Sequence, residues 1–179
     1  MTRINPILDT NASPEAAALF AAIKGKVGMV PNLYRTTAQR PAVLSALLGL
    51  GDALSKGAFD AKTREAIALT VAKANRCDYC ASAHSAISAS MKVGQEEILA
   101  NLNGTSGNPR LAAILALASR IVAEKGHLPD ADLAEARAAG LDDGDIIEVT
   151  ANVVANIFTN YINHIAQTEI DFPVVATAA

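Results

Sequence analysis

The chain has 179 residues, a formal net charge of −3 and a pI near 5.6, so it lacks the basic balance that nucleic-acid binding requires. Its composition is 51% hydrophobic but only 4% aromatic, with no Trp, which predicts a core of Ala, Leu, Ile and Val in closely packed helices. No apolar run approaches the roughly eighteen residues of a membrane span, and the opening Met-Thr-Arg-Ile-Asn-Pro-Ile-Leu-Asp has no apolar region of a secretory signal.

The expectation is one all-α domain over residues 1–179, a compact multi-helix bundle in the cytoplasm. A mean hydropathy of +0.24 is high for a soluble monomer and points to covered subunit faces, hence a homo-oligomer.

In chain order, Ser13-Pro14-Glu15 starts a helix that should run to about Lys24 and stop at Gly25 to Gly28. Gly28 to Arg35 reads as a loop feeding a short helix, because Pro31 keeps Val30 out of helical conformation. There Leu33 and Tyr34 pack the turn, or Tyr34 or Arg35 lines a substrate entrance. Pro41 to Lys56 is a helix closed by Gly57. Thr63 to Ala74 and Cys77 to Met91 are the next two, the second ended by Gly94, and Gln95 to Asn101 is short. Thr105 to Pro109 is a loop, followed by helices from Arg110 to Lys125, from Leu128-Pro129-Asp130 to Gly140, and from Asp142 or Asp143 to about Gln167. The tail at 174–179 is expected to be disordered.

The stretch from Lys62 to His84 holds both cysteines, Cys77 and Cys80, together with Glu65 and His84. A single unbroken helix would hold Glu65 and Cys80 roughly 22 Å apart. Asn75-Arg76 offers a break, since Asn favours left-handed helix ends and N-caps. A reversal there brings Glu65 level with His84 across a helix pair. Cys80 and His84, at i and i+4, share a face, and Cys77 and Cys80 are close enough for a disulfide. The cysteines then start the second helix, where exposed N–H groups lower a thiol pKa. The resulting relay has Glu65 orienting His84, and His84 withdrawing a proton from Cys80 directly or through a water, with Cys77 as resolving partner.

The pattern E-x11-C-x-x-C-x-x-x-H, with an Asn shortly before the first Cys, resembles the carboxymuconolactone decarboxylase superfamily, and within it the alkyl hydroperoxidase D-like, peroxidase-related branch. The segment G-x-x-P-N-x-x-R at Gly28 to Arg35 extends that resemblance upstream. It implies an all-helical, usually oligomeric thiol peroxidase acting on hydrogen peroxide or organic hydroperoxides. Cys80 is oxidised to a sulfenic acid, Cys77 donates a proton and closes the disulfide, and Glu65 and His84 form the relay. A lipoylated or thioredoxin-like dithiol protein is the implied reductant, and neither cofactor nor metal is called for. The chain departs from well-studied hydroperoxidases at Tyr79, where they carry a second His.

Other readings compete. Cys77, Cys80 and His84 supply three zinc ligands, but a fourth would have to come from distant His127 or His164. His164 otherwise reads as an interface or partly buried residue, and His127 as exposed in a loop. Asn156, Asn160 and Asn163 form a polar stripe that more often satisfies helix ends or a subunit contact than binds substrate. A lyase acting on a lactone acid needs no thiol pair, and a redox sensor would use the same disulfide without turnover.

Overall fold

The computed structural model describes residues 1–178, and these form helices with no strand among them. After a 3-10 turn at Asp9–Asn11 come α1 (Pro14–Val27), α2 (Asn32–Thr37), α3 (Pro41–Leu54), α4 (Ala61–Ala74) and α5 (Asp78–Ser90). Then follow α6 (Gln95–Leu102), α7 (Pro109–Ala123), α8 (Asp130–Ala138) and α9 (Asp143–Ala166).

The starts follow local chemistry. Ser13 and Asp60 accept the backbone N–H of Ala16 and Thr63 at 3.3 and 2.8 Å, capping α1 and α4. Asp142 and Asp145 form a reciprocal capping box that opens α9.

Every residue of α4 from Ala66 to Ala72 is buried, so this helix has no solvent face along its middle turns. Ile67 and Val71 pack with Leu115 and Ile121 of α7 and Val149 and Val153 of α9. Leu69 and Ala72 pack instead on Tyr79, Cys80 and Ala81 of α5 and on Leu102 of α6. A third cluster, with Phe20, Ile23 and Leu44, joins α1 to α3.

Three boundaries differ from expectation. Gly25 lies inside α1, which continues to Val27 and ends where Gly28 takes a left-handed φ of 83°. The cysteine helix ends at Ser90, where Lys92 rather than Gly94 adopts positive φ, 60°, and Gly94 begins α6 in extended conformation. The third correction concerns the C-terminal tail. Val175 N donates to Ser82 Oγ at 2.9 Å, and Thr177 donates to Asp78 Oδ1 through its N at 2.8 Å and Oγ1 at 2.6 Å. The tail is thus strapped along α5 as far as Thr177; Ala179 lies outside the described residues.

The turn into α4 is held from across the molecule. Glu148 of α9 accepts Ala58 N at 2.8 Å and Phe59 N at 3.0 Å. A Cβ on Gly57 would overlap that carboxylate, which explains why Gly sits there rather than merely to close α3. Glu148→Ala leaves both donors without a protein partner and is expected to lower stability by about 1–2 kcal/mol. Urea unfolding of the two proteins measures the difference.

Candidate functional site: two unequal thiols between three helices

The backbone break occurs one residue later than expected. Asn75 stays right-handed, and Arg76 takes the left-handed conformation at φ 56°. Cys77 N then donates to Ala72 O at 2.8 Å and Arg76 N to Lys73 O at 2.9 Å, the paired bonds of a Schellman ending. Cys77 is at once the residue that closes α4 and the N-cap of α5, its Sγ accepting Cys80 N at 3.4 Å.

This reversal brings Glu65 and His84 together, with Glu65 Oε2 2.7 Å from His84 Nδ1. Their side chains are 20% and 21% exposed, enough burial for the pair to be only partly screened. Burial works against a charged His84 ring; the Glu65 carboxylate, by charge and hydrogen bond, and Cys77 outweigh it and raise the imidazole pKa. Of the direct and water-bridged routes expected between His84 and Cys80, a direct hydrogen bond is absent among the described residues. Cys77 is the sulfur whose charge bears on the His84 ring.

The two sulfurs, each 2% exposed and both reduced, are inequivalent. The Cys77 thiol, a donor to its neighbour, lowers the Cys80 pKa first; burial opposes this, and Asn163, Asn160 and Thr159 of α9 lower it further. Cys77 is pushed up, first by that same hydrogen bond and then by burial.

Asn163 Nδ2 donates to Cys80 Sγ at 3.2 Å, and Asn160 Oδ1 accepts Asn75 Nδ2 at 2.9 Å. The polar stripe of α9 thus divides. Asn156 Nδ2 bonds Asn152 O within its own helix at 2.8 Å, whereas Asn160 and Asn163 turn inward to the cysteine turn. Sequence spacing marked the stripe but assigned it to helix ends or a subunit contact. The sole signal for its true place was apolar surroundings in which an amide needs a partner.

The other candidates have other tasks. Tyr79 O–H donates to Asp171 Oδ1 at 2.8 Å, accepts Leu33 N at 3.0 Å and meets Phe172 edge-on, with ring centroids 5.9 Å apart. It braces α2 and the tail against α5, and burial pushes its phenol pKa well up. Arg35 is not at an entrance: it binds Asp9 Oδ1 at 2.6 Å and the Val30 and Ile7 carbonyls at 3.2 Å, over the Phe20 ring. Tyr34, half-buried, lies close enough to Glu65 for that charge to add to the rise that burial causes in its pKa. His127 is exposed. His164 stacks on Tyr161 and lines a cleft of about 570 Å³ that reaches Cys77, Tyr79 and Asn163. No group of three or more His, Cys, Asp or Glu side chains is placed to hold a metal ion among the described residues.

Residues 41–120 match the carboxymuconolactone decarboxylase family model. An uncharacterized protein of Haemophilus influenzae is 53% identical over 47 residues, a stretch that spans 26% of this chain and 42% of that relative. The alkylhydroperoxidase AhpD core of a peroxidase-related protein from Ralstonia eutropha JMP134 superposes with a TM-score of 0.85 at 23% identity, over 95% of this chain and 92% of that one. A peroxidase-related protein from Silicibacter sp. TM1040 gives 0.81 at 21% identity, over 94% and 93%. The debrominase Bmp8, a cysteine-to-alanine form of which was crystallised with 2,3,4-tribromopyrrole, gives 0.80 at 23% identity, over 96% and 92%. The family match spans both cysteines, and nearly the whole chain follows those backbones, so the chain has the fold of the alkylhydroperoxidase D core and is similar over residues 41–120 to the carboxymuconolactone decarboxylase family.

Proposed function

We propose that the protein is a thiol peroxidase in which Cys80 is the nucleophile, Cys77 the proton donor and resolving thiol, and Glu65–His84 the proton reservoir. The observation that carries this reading is the inequality of the thiols: Cys80 lowered, Cys77 raised, three residues apart at a helix start. A thiolate beside a retained thiol is what two-electron reduction of a peroxide requires. Likeness in fold to peroxidase-related proteins supports it.

The Cys80 thiolate attacks the terminal oxygen of R–O–O–H, forming the S–O bond and breaking O–O. The departing alkoxide takes the proton of Cys77 and leaves as ROH. Cys77, now a thiolate, attacks the sulfenic sulfur of Cys80, and the expelled hydroxide takes a proton from the His84 imidazolium to leave as water. A raised imidazole pKa keeps that proton available, and Glu65 holds the ring. An external dithiol then reduces the disulfide. Cys77 lines the cleft, so a thiol arriving there meets Cys77 and expels Cys80, the sulfur of lower pKa and better leaving group.

Self-association has a surface to use. Ile147, Val154, Phe158, Tyr161 and Ile165 are 70, 55, 39, 53 and 64% exposed on α9. Their spacing of seven, four, three and four residues matches the apolar seam of a coiled coil, so a second copy of α9 is the partner we propose. Val154→Lys with Ile165→Lys is expected to shift the protein to monomer in sedimentation; unchanged mass removes this face from the interface.

Cys80→Ser is expected to abolish peroxide consumption. Cys77→Ser is expected to form one sulfenic acid per chain, trapped by dimedone, without turnover. Peroxide loss at wild-type rate in Cys80→Ser ends the reading. Loss of halide from a polyhalogenated aromatic with no peroxide reduction would favour chemistry like that of the debrominase.

The Glu65–His84 pair also makes a pH prediction. A raised imidazole pKa gives stability that is fully present below the unfolded value, about 6.5, and is lost as pH rises through the folded value. The melting-temperature gap between wild type and Glu65→Gln is therefore widest below about pH 6.5 and narrows above it. A gap independent of pH would mean that His84 stays neutral.

A further inference from the structure

Asn160 is fully buried, at 0% exposure, and its amide is half used. Its Oδ1 accepts Asn75 Nδ2 at 2.9 Å, which sets the amide orientation, while its Nδ2 has no hydrogen-bond partner among the described residues. Native proteins rarely leave a buried donor so. A local remedy existed: Asn152 and Asn156 on the same helix donate to the carbonyls four residues back, at 2.8 Å each. At Asn160 the equivalent carbonyl, Asn156 O, is taken by Thr159 Oγ1 at 2.9 Å.

The neighbourhood of that donor is the reactive sulfur. Asn163, one turn further on, donates to Cys80 Sγ at 3.2 Å, and Asn160 is among the groups that lower the Cys80 thiol. We propose that Asn160 Nδ2 is a catalytic donor for the oxygen that Cys80 acquires, binding it as it passes from peroxide to sulfur and holding it in the sulfenic acid. Asn163 bonds the resting sulfur; Asn160, near enough to lower the Cys80 thiol but without a well-formed hydrogen bond to it, takes up the oxygen. A preorganised donor aimed at an atom that arrives only during reaction speeds the step in the manner of an oxyanion hole, and stands unpartnered beforehand. The step keeps the balance given above: S–O forms, O–O breaks, and Cys77 protonates the departing alkoxide. Asn160 adds a hydrogen bond and transfers nothing.

The inference rests on the peroxidase reading, and one pair of rates separates the two. Reduced protein is mixed with hydrogen peroxide for a single turnover, following thiol loss, and separately with iodoacetamide, which alkylates Cys80 without bringing an oxygen. Both rates are taken on the pH-independent plateau, where the thiolate is fully formed. Asn160→Ala is expected to slow oxidation about 100-fold and alkylation far less. Asn75→Ala, at a half-buried position that only orients the amide, is expected to slow oxidation selectively by a smaller factor, and carries the test should Asn160→Ala fail to fold. Equal losses in both reactions, or no loss in oxidation, overturn the assignment of Asn160 while leaving the peroxidase intact. Wild-type protein inert to peroxide overturns the peroxidase reading and this inference with it.

Discussion

The site depends on one three-residue reversal that ends one helix and begins the next. Had α4 run on through residue 84, Glu65 and His84 would stand about 28 Å apart along its axis; the Schellman ending at Arg76 and Cys77 brings them to 2.7 Å. A left-handed non-glycine residue costs roughly 1–2 kcal/mol. That cost is offset by what the turn secures: Ala72 and Lys73 carbonyls satisfied, Asn75 bonded across to α9, and the buried middle of α4 kept intact. Cys77 could not be displaced by one position without losing either its bond to Ala72 or its place as cap of α5.

The same turn makes the thiols unequal. Cys77, the N-cap, accepts the Cys80 backbone N–H, while Cys80 Sγ accepts the side-chain amide of Asn163. Here α9 adds neutral amides and no Lys or Arg. A full positive charge would lower the thiol pKa further but would also reduce the nucleophilicity of the thiolate, which falls with basicity. Neutral donors lower the thiol pKa without a cation beside the sulfur. His84, held by Glu65, lies near enough to Cys77 for the charge of that sulfur to raise the imidazole pKa further.

Local features were legible in the chain because local physics determines them. Ser13-Pro14, Asp60 and Asp142 start helices through caps that involve residues at most three apart. The pairing of Glu65 with His84 followed from counting outward from a break. Errors fell where a near tie was settled by contacts far along the chain. Asn75 is the better left-handed residue intrinsically, yet its side chain is required by Asn160, eighty-five positions on, so Arg76 bears the positive φ. The tail held no periodic pattern, because it is fixed by Ser82, Asp78 and Tyr79 rather than by its own regularity. Asn163 was invisible as a sulfur ligand for the same reason: only the packing of α9 on α5 brings it to Cys80.

Tyr79 closes one side of the cysteine turn. Its ring fills the space between α5, α2 and the tail, and its hydroxyl is engaged twice, by Asp171 and the Leu33 amide. Asp171 in turn accepts Asn32 N at 2.8 Å, so one phenol and one carboxylate close the seam on that side of the cysteines. With its phenol raised and both hydrogen-bonding positions filled, Tyr79 has nothing left to exchange protons with the sulfurs. Both sulfurs are buried, and the cleft lined by Cys77, Tyr79 and Asn163 is the opening that reaches the cysteine turn.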